Sequence, residues 1–196
     1  MPVPLHVALP SHDGRAEVVT VVTLARDLPQ ALGRPVQIHL GEASNIPRAR
    51  NVCLRLVEAA VGPDARLAPL WILWLDSDIR LGGQAAPQLA QYVHRADQER
   101  VAFAAHYRQA DGRSTFFPRR GRMIGPALEA AAVQRLPDWS ELGMSGFGLL
   151  YAPVEAGYVF HADDAGEDIL FWLDHPGLPL RYAQGIAVRH HKAVLL

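Results

Sequence analysis

The chain has 196 residues, 49% of them hydrophobic and 20% charged, enough for one sizeable core and most simply a single domain over 1–196. Its formal charge of −1 excludes a whole-molecule field that would draw it to bulk nucleic acid or an acidic membrane surface. Basic residues gather only at Arg113–Arg122, so binding of a phosphate-sized anion stays open.

The N-terminus, Met-Pro-Val-Pro-Leu-His, has no basic region leading into an apolar stretch, which argues against a signal peptide. Leu5 to Leu9 is a short apolar run ending at Pro10, and Ser11 to Gly14 reads as a turn. Glu17 to Leu32 carries apolar residues at helical spacing and stops at Gly33. Val36 to Leu40 reads as a second strand. Ser44 or Asn45 can cap the next helix, which has Pro47 in its first turn and continues through Val52, Leu56 and Val57 to Gly62. Cys53, the only cysteine, falls within that helix. It excludes an intramolecular disulfide, and an inert buried thiol is expected.

Leu70 to Leu75 (Leu-Trp-Ile-Leu-Trp-Leu) is almost wholly apolar, as befits a central strand covered on both faces. A helix is expected near Ala85 to Arg95 and a strand within Val101 to Tyr107. Alternating strands and helices predict a mainly parallel sheet with right-handed crossovers. Asp111-Gly112 signals a hairpin between Val101–Tyr107 and Ser114–Phe117. Residues 118–145 carry no clear period. Gly146 to Tyr151 reads as a strand, Ile169 to Leu173 as a short helix, and Leu180 to His190 as a closing strand or strand pair. No apolar run approaches the roughly 20 residues of a membrane span, so a soluble, cytoplasmic protein is expected.

Four patterns carry chemistry. Asp76-Ser77-Asp78 follows the buried strand, where ligands of open α/β sheets bind. Carboxylates forced together repel unless a cation joins them, and hard oxygen donors suit Mg²⁺ or Mn²⁺ bridging substrate phosphates. The bland alternative is a solvated, helix-capping turn. Arg48-Ala49-Arg50-Asn51 could grip phosphate and contact a base or ribose, or be a solvated helix face; Arg50 and Asn51 diverge by about 100° around the helix. Glu167-Asp168, preceded by Asp163, Asp164 and Gly166, suits a helix N-terminus or a general base. In Arg189-His190-His191-Lys192 only one histidine can face a site, because adjacent strand residues point opposite ways.

In order and spacing these pieces resemble the GT-A glycosyltransferases, the nucleotide-diphospho-sugar transferase superfamily. The matching segments are Ala8-Leu9-Pro10-Ser11-His12, Ala49-Arg50-Asn51, Trp71 to Asp78, Ser145 to Tyr151, Gly166-Glu167-Asp168 and a late histidine. The resemblance implies a three-layer α/β fold with a mainly parallel central sheet and a small antiparallel C-terminal part. The nucleotide-binding part would span about 1–107 and the acceptor side about 108–196. It implies Mn or Mg on Asp78 and Asp76, with His190 completing the shell and His191 its rival. Pro10, Ser11, His12, Arg48, Arg50, Asn51, Asp76 and Ser77 would hold a UDP- or GDP-sugar donor. Gly146, Phe147 and Gly148 would line the side of an unnamed acceptor. Asp168 would be the base of an inverting displacement and Glu167 would orient the acceptor.

A nucleotidyltransferase would share the sheet and the carboxylates, but it resembles Gly-x-Gly-x-Arg after the first strand, where this chain reads Pro10-Ser11-His12-Asp13-Gly14. A catalytically silent sugar-nucleotide-binding module is the other rival. An oxidoreductase is disfavoured, because no Gly-x-Gly-x-x-Gly follows the first strand.

Overall fold

A computed structural model describes residues 2–106, 114–120, 123–161, 166–186 and 188–190. The first apolar run becomes β1 (Leu5–Ser11), buried along its whole length. The helical stretch begins at α1 (Val18–Val22), where Glu17 accepts from the Thr20 N–H at 3.0 Å. It passes through a π-helical turn (Thr23–Asp27) into α2 (Leu28–Leu32) and stops at Gly33, whose φ of 65° suits glycine. The predicted helix carried no hint of the π turn. Pro29 has no N–H to offer the carbonyl four residues back, and the wider turn absorbs that missing bond.

β2 (Val36–Glu42) leads into α3 (Ile46–Val61), where Asn45, of the two foreseen caps, accepts from Arg48 N–H at 3.0 Å. The buried stripe of α3 includes Ala49, Arg50, Cys53, Leu54 and Val57, while Leu56 is exposed. Cys53 is buried and donates its thiol to His39 O, and burial pushes its pKa up to about 12, which makes it inert. Gly41 of β2 meets this helix at close range. A Cβ there would stand 2.4 Å from Ala49 O and 2.6 Å from Cys53 Sγ.

β3 (Leu70–Leu75) has the foreseen bounds, and β4 (Ile79–Leu81) follows it. α4 (Ala85–Glu99) outruns its predicted end at Arg95, and β5 (Ala102–Ala104) is next. The later elements are β6 (Phe116–Phe117), β7 (Arg119–Arg120), β8 (Met123–Ile124), α5 (Ala130–Val133), β9 (Glu141–Leu142) and β10 (Met144–Ser145). β11 (Leu149–Val154), α6 (Glu167–Asp174), β12 (Leu180–Tyr182) and β13 (Val188–His190) complete the series.

Among the described residues seven strands form the central sheet, in the order β2-β1-β3-β11-β5-β12-β9. β2, β1, β3, β5 and β12 run one way, with β11 and β9 reversed. Small antiparallel pairs join β10 to β6, β13 to β4 and β7 to β8. Side-chain alternation divides the core between the two faces of the sheet. Leu5, Val7 and Leu9 pack with Leu28, Leu32 and Leu89 of α2 and α4, whereas Ala8, Ile72 and Trp74 pack with Cys53, Leu54, Val57 and Phe171 of α3 and α6.

Two expectations are corrected and one pair of alternatives is decided. The hairpin between Val101–Tyr107 and Ser114–Phe117 does not form: β6 pairs with β10, and β5 lies between β11 and β12. Asp111 and Gly112 themselves lie outside the described residues. The strand expected from Gly146 begins instead at Leu149, because the Gly146 N–H is taken by Thr115 O. The closing stretch divides, β12 joining the main sheet and β13 pairing with β4. No helix of the described residues is long and apolar enough to cross a membrane.

Gly41→Ala should push α3 off β2 and lower stability by roughly 1–3 kcal/mol, read as a lower urea midpoint. An unchanged midpoint would contradict the tight β2–α3 contact.

Candidate functional site

The greasy strand β3 ends at the rim of the parallel strands, and its polar turn is pinned from three sides. Asp76 N–H donates to Gly148 O at 3.2 Å, Ile79 N–H to Asp76 O at 3.0 Å, and Glu17 N–H to Ser77 O at 2.8 Å. Thr20 fixes the strand beyond: its hydroxyl donates to Ile79 O at 2.7 Å and accepts from Leu81 N–H at 3.0 Å. Asp76, Ser77 and Asp78 are all half-buried.

Arg50 reaches this turn from the buried stripe of α3, with a side chain only 2% exposed. Its Nη2 donates to Asp76 Oδ1 at 3.2 Å, and its Nη1 donates to Glu167 Oε1 and to Asp168 Oδ1 at the start of α6. Its guanidinium carbon lies 4.4 Å from the centre of the Phe147 ring. Arg50 Nε is buried with no hydrogen-bond partner among the described residues. One guanidinium thus joins three carboxylates from two distant parts of the chain, and Asp78 adds its field at Asp76. Three carboxylates on one guanidinium leave a surplus of negative charge among the described residues of the cluster.

The electrostatics follow from that crowding. Burial alone would favour a neutral Arg50, but Asp168, Asp76 and Glu167 outweigh it and hold the guanidinium charged, its pKa above the usual value. Asp76 moves the other way. Burial, with the fields of Asp168 and Asp78 added, raises its pKa to about 6 against the pull of Arg50.

Gly146 brings the segment Ser145 to Gly148 against the acids. Its N–H donates to Thr115 O at 2.8 Å, and a Cβ on it would lie 3.3 Å from Asp168 Oδ2 and 3.4 Å from Thr115 Cβ. The bare Cα leaves Asp168 its space. Trp172 Nε1 donates to Ser145 O at 2.6 Å, which ties α6 to the same segment. Thr115 Oγ1 and Trp74 Nε1 are buried with no hydrogen-bond partner among the described residues.

The structure therefore brings together Arg50, Asp76, Asp78, Gly146, Phe147, Glu167 and Asp168, and Gly148 holds Asp76 through its carbonyl. Other residues of the sequence reading fall elsewhere. Pro10 is buried in β1, Ser11 spends its hydroxyl on its own turn with Asp13 and Arg15, and His12 is exposed. Arg48 is exposed, its guanidinium 3.5 Å from Ser44 Oγ. Asn51 spends both ends of its amide on Phe160, donating to its carbonyl at 2.9 Å and accepting from its N–H at 2.8 Å. The Ser77 carbonyl is taken by Glu17. His190 stands opposite Ile79 in the β13–β4 pair, one residue beyond Asp78. His191, Asp163 and Asp164 lie outside the described residues. Among the described residues no group of three or more His, Cys, Asp or Glu is placed to hold a metal ion.

Thr20 and Thr115 were not singled out by sequence reasoning, and no local pattern marks them. The bridging role of Arg50 did leave a trace: it shares its helix face with Cys53, Leu54 and Val57, at the i+3, i+4 and i+7 spacing of a buried stripe.

No protein-family model matches the chain, and no curated protein matches it. Among solved structures, the crystal structure of A197 from STIV superposes with a TM-score of 0.63 at 14% identity, covering 95% of this chain and 84% of that one. The likeness is one of fold. It supports a mixed α/β architecture built on a mainly parallel sheet.

The raised pKa of Asp76 makes its contribution to stability depend on pH. Between its unfolded value of 3.8 and about 6, the folded state holds the extra proton, so this group's stabilisation is full below the lower value and is lost as pH rises through the upper one. Asp76→Asn keeps an acceptor for Arg50 and removes the charge, so it should melt at a higher temperature than wild type at pH 8, with the difference closing by pH 4. A lower melting temperature for the variant at pH 8 would contradict the crowding.

Proposed function

We propose that this chain is a GT-A-type glycosyltransferase that moves a sugar from a nucleoside diphosphate to an acceptor hydroxyl, with Mn or Mg bound at Asp76 and Asp78. The observation that carries the reading is the surplus of carboxylates at the carboxyl end of β3, which Arg50 alone does not neutralise. Two acids on one pinned turn fit a hard divalent cation that draws the rest of its shell from phosphate oxygens and water. His190, across from Ile79, is the neighbouring candidate ligand on the chain. When bound, the cation would neutralise the charge that grows on the departing diphosphate.

The remaining work falls to side chains. The acceptor oxygen attacks the anomeric carbon as the bond from that carbon to the diphosphate oxygen breaks, and the electron pair leaves with the diphosphate. The hydroxyl proton passes to Asp168 Oδ2. Arg50 holds the other oxygen of that carboxylate, and Gly146 leaves space beside Oδ2. Glu167, held by the same guanidinium, would orient the acceptor. Phe147, packed against Trp74 and Phe160, covers one face of the Arg50 guanidinium. A cytoplasmic setting suits the buried, protonated thiol of Cys53.

The test is the melting temperature with UDP or GDP, with and without Mn²⁺. Wild type should be stabilised only when nucleotide and metal are both present, by about 2.7 kcal/mol at a hundredfold excess over Kd. Asp78→Ala should lose that stabilisation while melting normally alone. A nucleotide shift indifferent to Mn²⁺, or intact in Asp78→Ala, would exclude the metal role.

A further inference from the structure

The β4–β13 ribbon beside Asp78 carries an arrangement that sugar transfer does not use. Arg80 and Arg189 stand directly across from each other in the antiparallel pair, and both are exposed. Beyond the main-chain pairing of the ribbon, neither side chain has a hydrogen bond or an ion pair among the described residues. Like charges in that position repel, so the pair is best satisfied when an anion lies over it.

Along the other edge of β4 runs α1, anchored through the Thr20 hydroxyl. Its outer side carries Val18, Val19 and Val22, which are 72%, 38% and 40% exposed. They are among the exposed large apolar side chains of the described residues, and exposed Arg15 lies three residues upstream of Val18. Two uncompensated cations and a valine ridge therefore flank a single strand. Apolar side chains next to basic ones complement a surface whose anionic headgroups cover acyl chains.

We propose that this face docks on an anionic lipid bilayer, with Arg80 and Arg189 on headgroup phosphates and the α1 valines in the interfacial layer. A soluble diphosphate would engage the arginines but leave the valines in water, and so the ridge decides for the bilayer. The docking does not depend on the glycosyl-transfer reading and is tested without any reaction.

The experiment is co-sedimentation of the full chain with vesicles of phosphatidylcholine alone and of phosphatidylcholine mixed with phosphatidylglycerol. The chain should pellet with the mixed vesicles only, and less as salt is added. Arg80→Gln with Arg189→Gln should reduce the partition roughly 25-fold, about fivefold for each arginine. Val18→Ser with Val22→Ser should weaken it at unchanged charge. All four positions are exposed, so both double variants should melt like wild type. Equal pelleting with neutral vesicles, no pelleting with either, or an arginine double variant that pellets like wild type would overturn the proposal. Full release of the chain from mixed vesicles by inorganic phosphate at constant ionic strength would also overturn it, by assigning the arginines to a soluble anion. Should a variant fail to fold, the vesicle and salt dependence of the wild type decides alone.

Discussion

A guanidinium with almost no access to water, surrounded by carboxylates, is the constraint on which the rim of this protein depends. Arg50 sits where its helix buries cysteine, leucine and valine, and a cation in that position is tolerable only with charged partners. Its partners come from the end of β3 and the start of α6, so one side chain locks together elements separated by more than a hundred residues of chain. Phe147 closes over its face, and Gly146 beside that ring leaves room for Asp168. Packing and chemistry are the same arrangement here. The contacts that make a buried arginine affordable also gather acids at a sheet edge.

Charge is separated within this small molecule rather than absent from it. The formal charge of −1 balances 19 basic against 20 acidic residues over the whole chain and hides an acid-rich rim beside an arginine pair on the adjoining ribbon. The β4 strand divides the two: it follows the acid turn, pairs with Arg189 and is held by Thr20 against the valine-bearing helix. A net-charge argument discards this separation.

Much of the parallel half was legible in the sequence because its signals are local and strong. Six apolar residues in a row set the bounds of β3, Gly33 ended a helix that needed a positive φ, and Asn45 capped the next. The acid turn could be singled out because it follows such a strand. Asp76, Glu167 and Asp168 were singled out as well, but not as partners of Arg50, since nothing in the spacing of residues 50, 76 and 167 encodes their proximity. The Asp-Gly signal misled for a related reason: it is a local preference, whereas β6 pairs with a strand nearly thirty residues further on. Two-residue strands such as β6, β9 and β10 have too little length for a period to show. Asn51 looked like a ligand-binding amide, and only the folded chain places the Phe160 main chain within its reach.

The most direct measurement is chemical denaturation of Arg50→Met across pH. Removing the cation leaves Asp76, Glu167 and Asp168 crowded without compensation, a loss of roughly 3–5 kcal/mol at pH 8. Because the acids would then hold protons more tightly in the folded state, stability should recover as pH falls towards 4. A variant as stable as wild type at pH 8, or a loss that stays constant down to pH 4, would show that Arg50 does not hold the rim together.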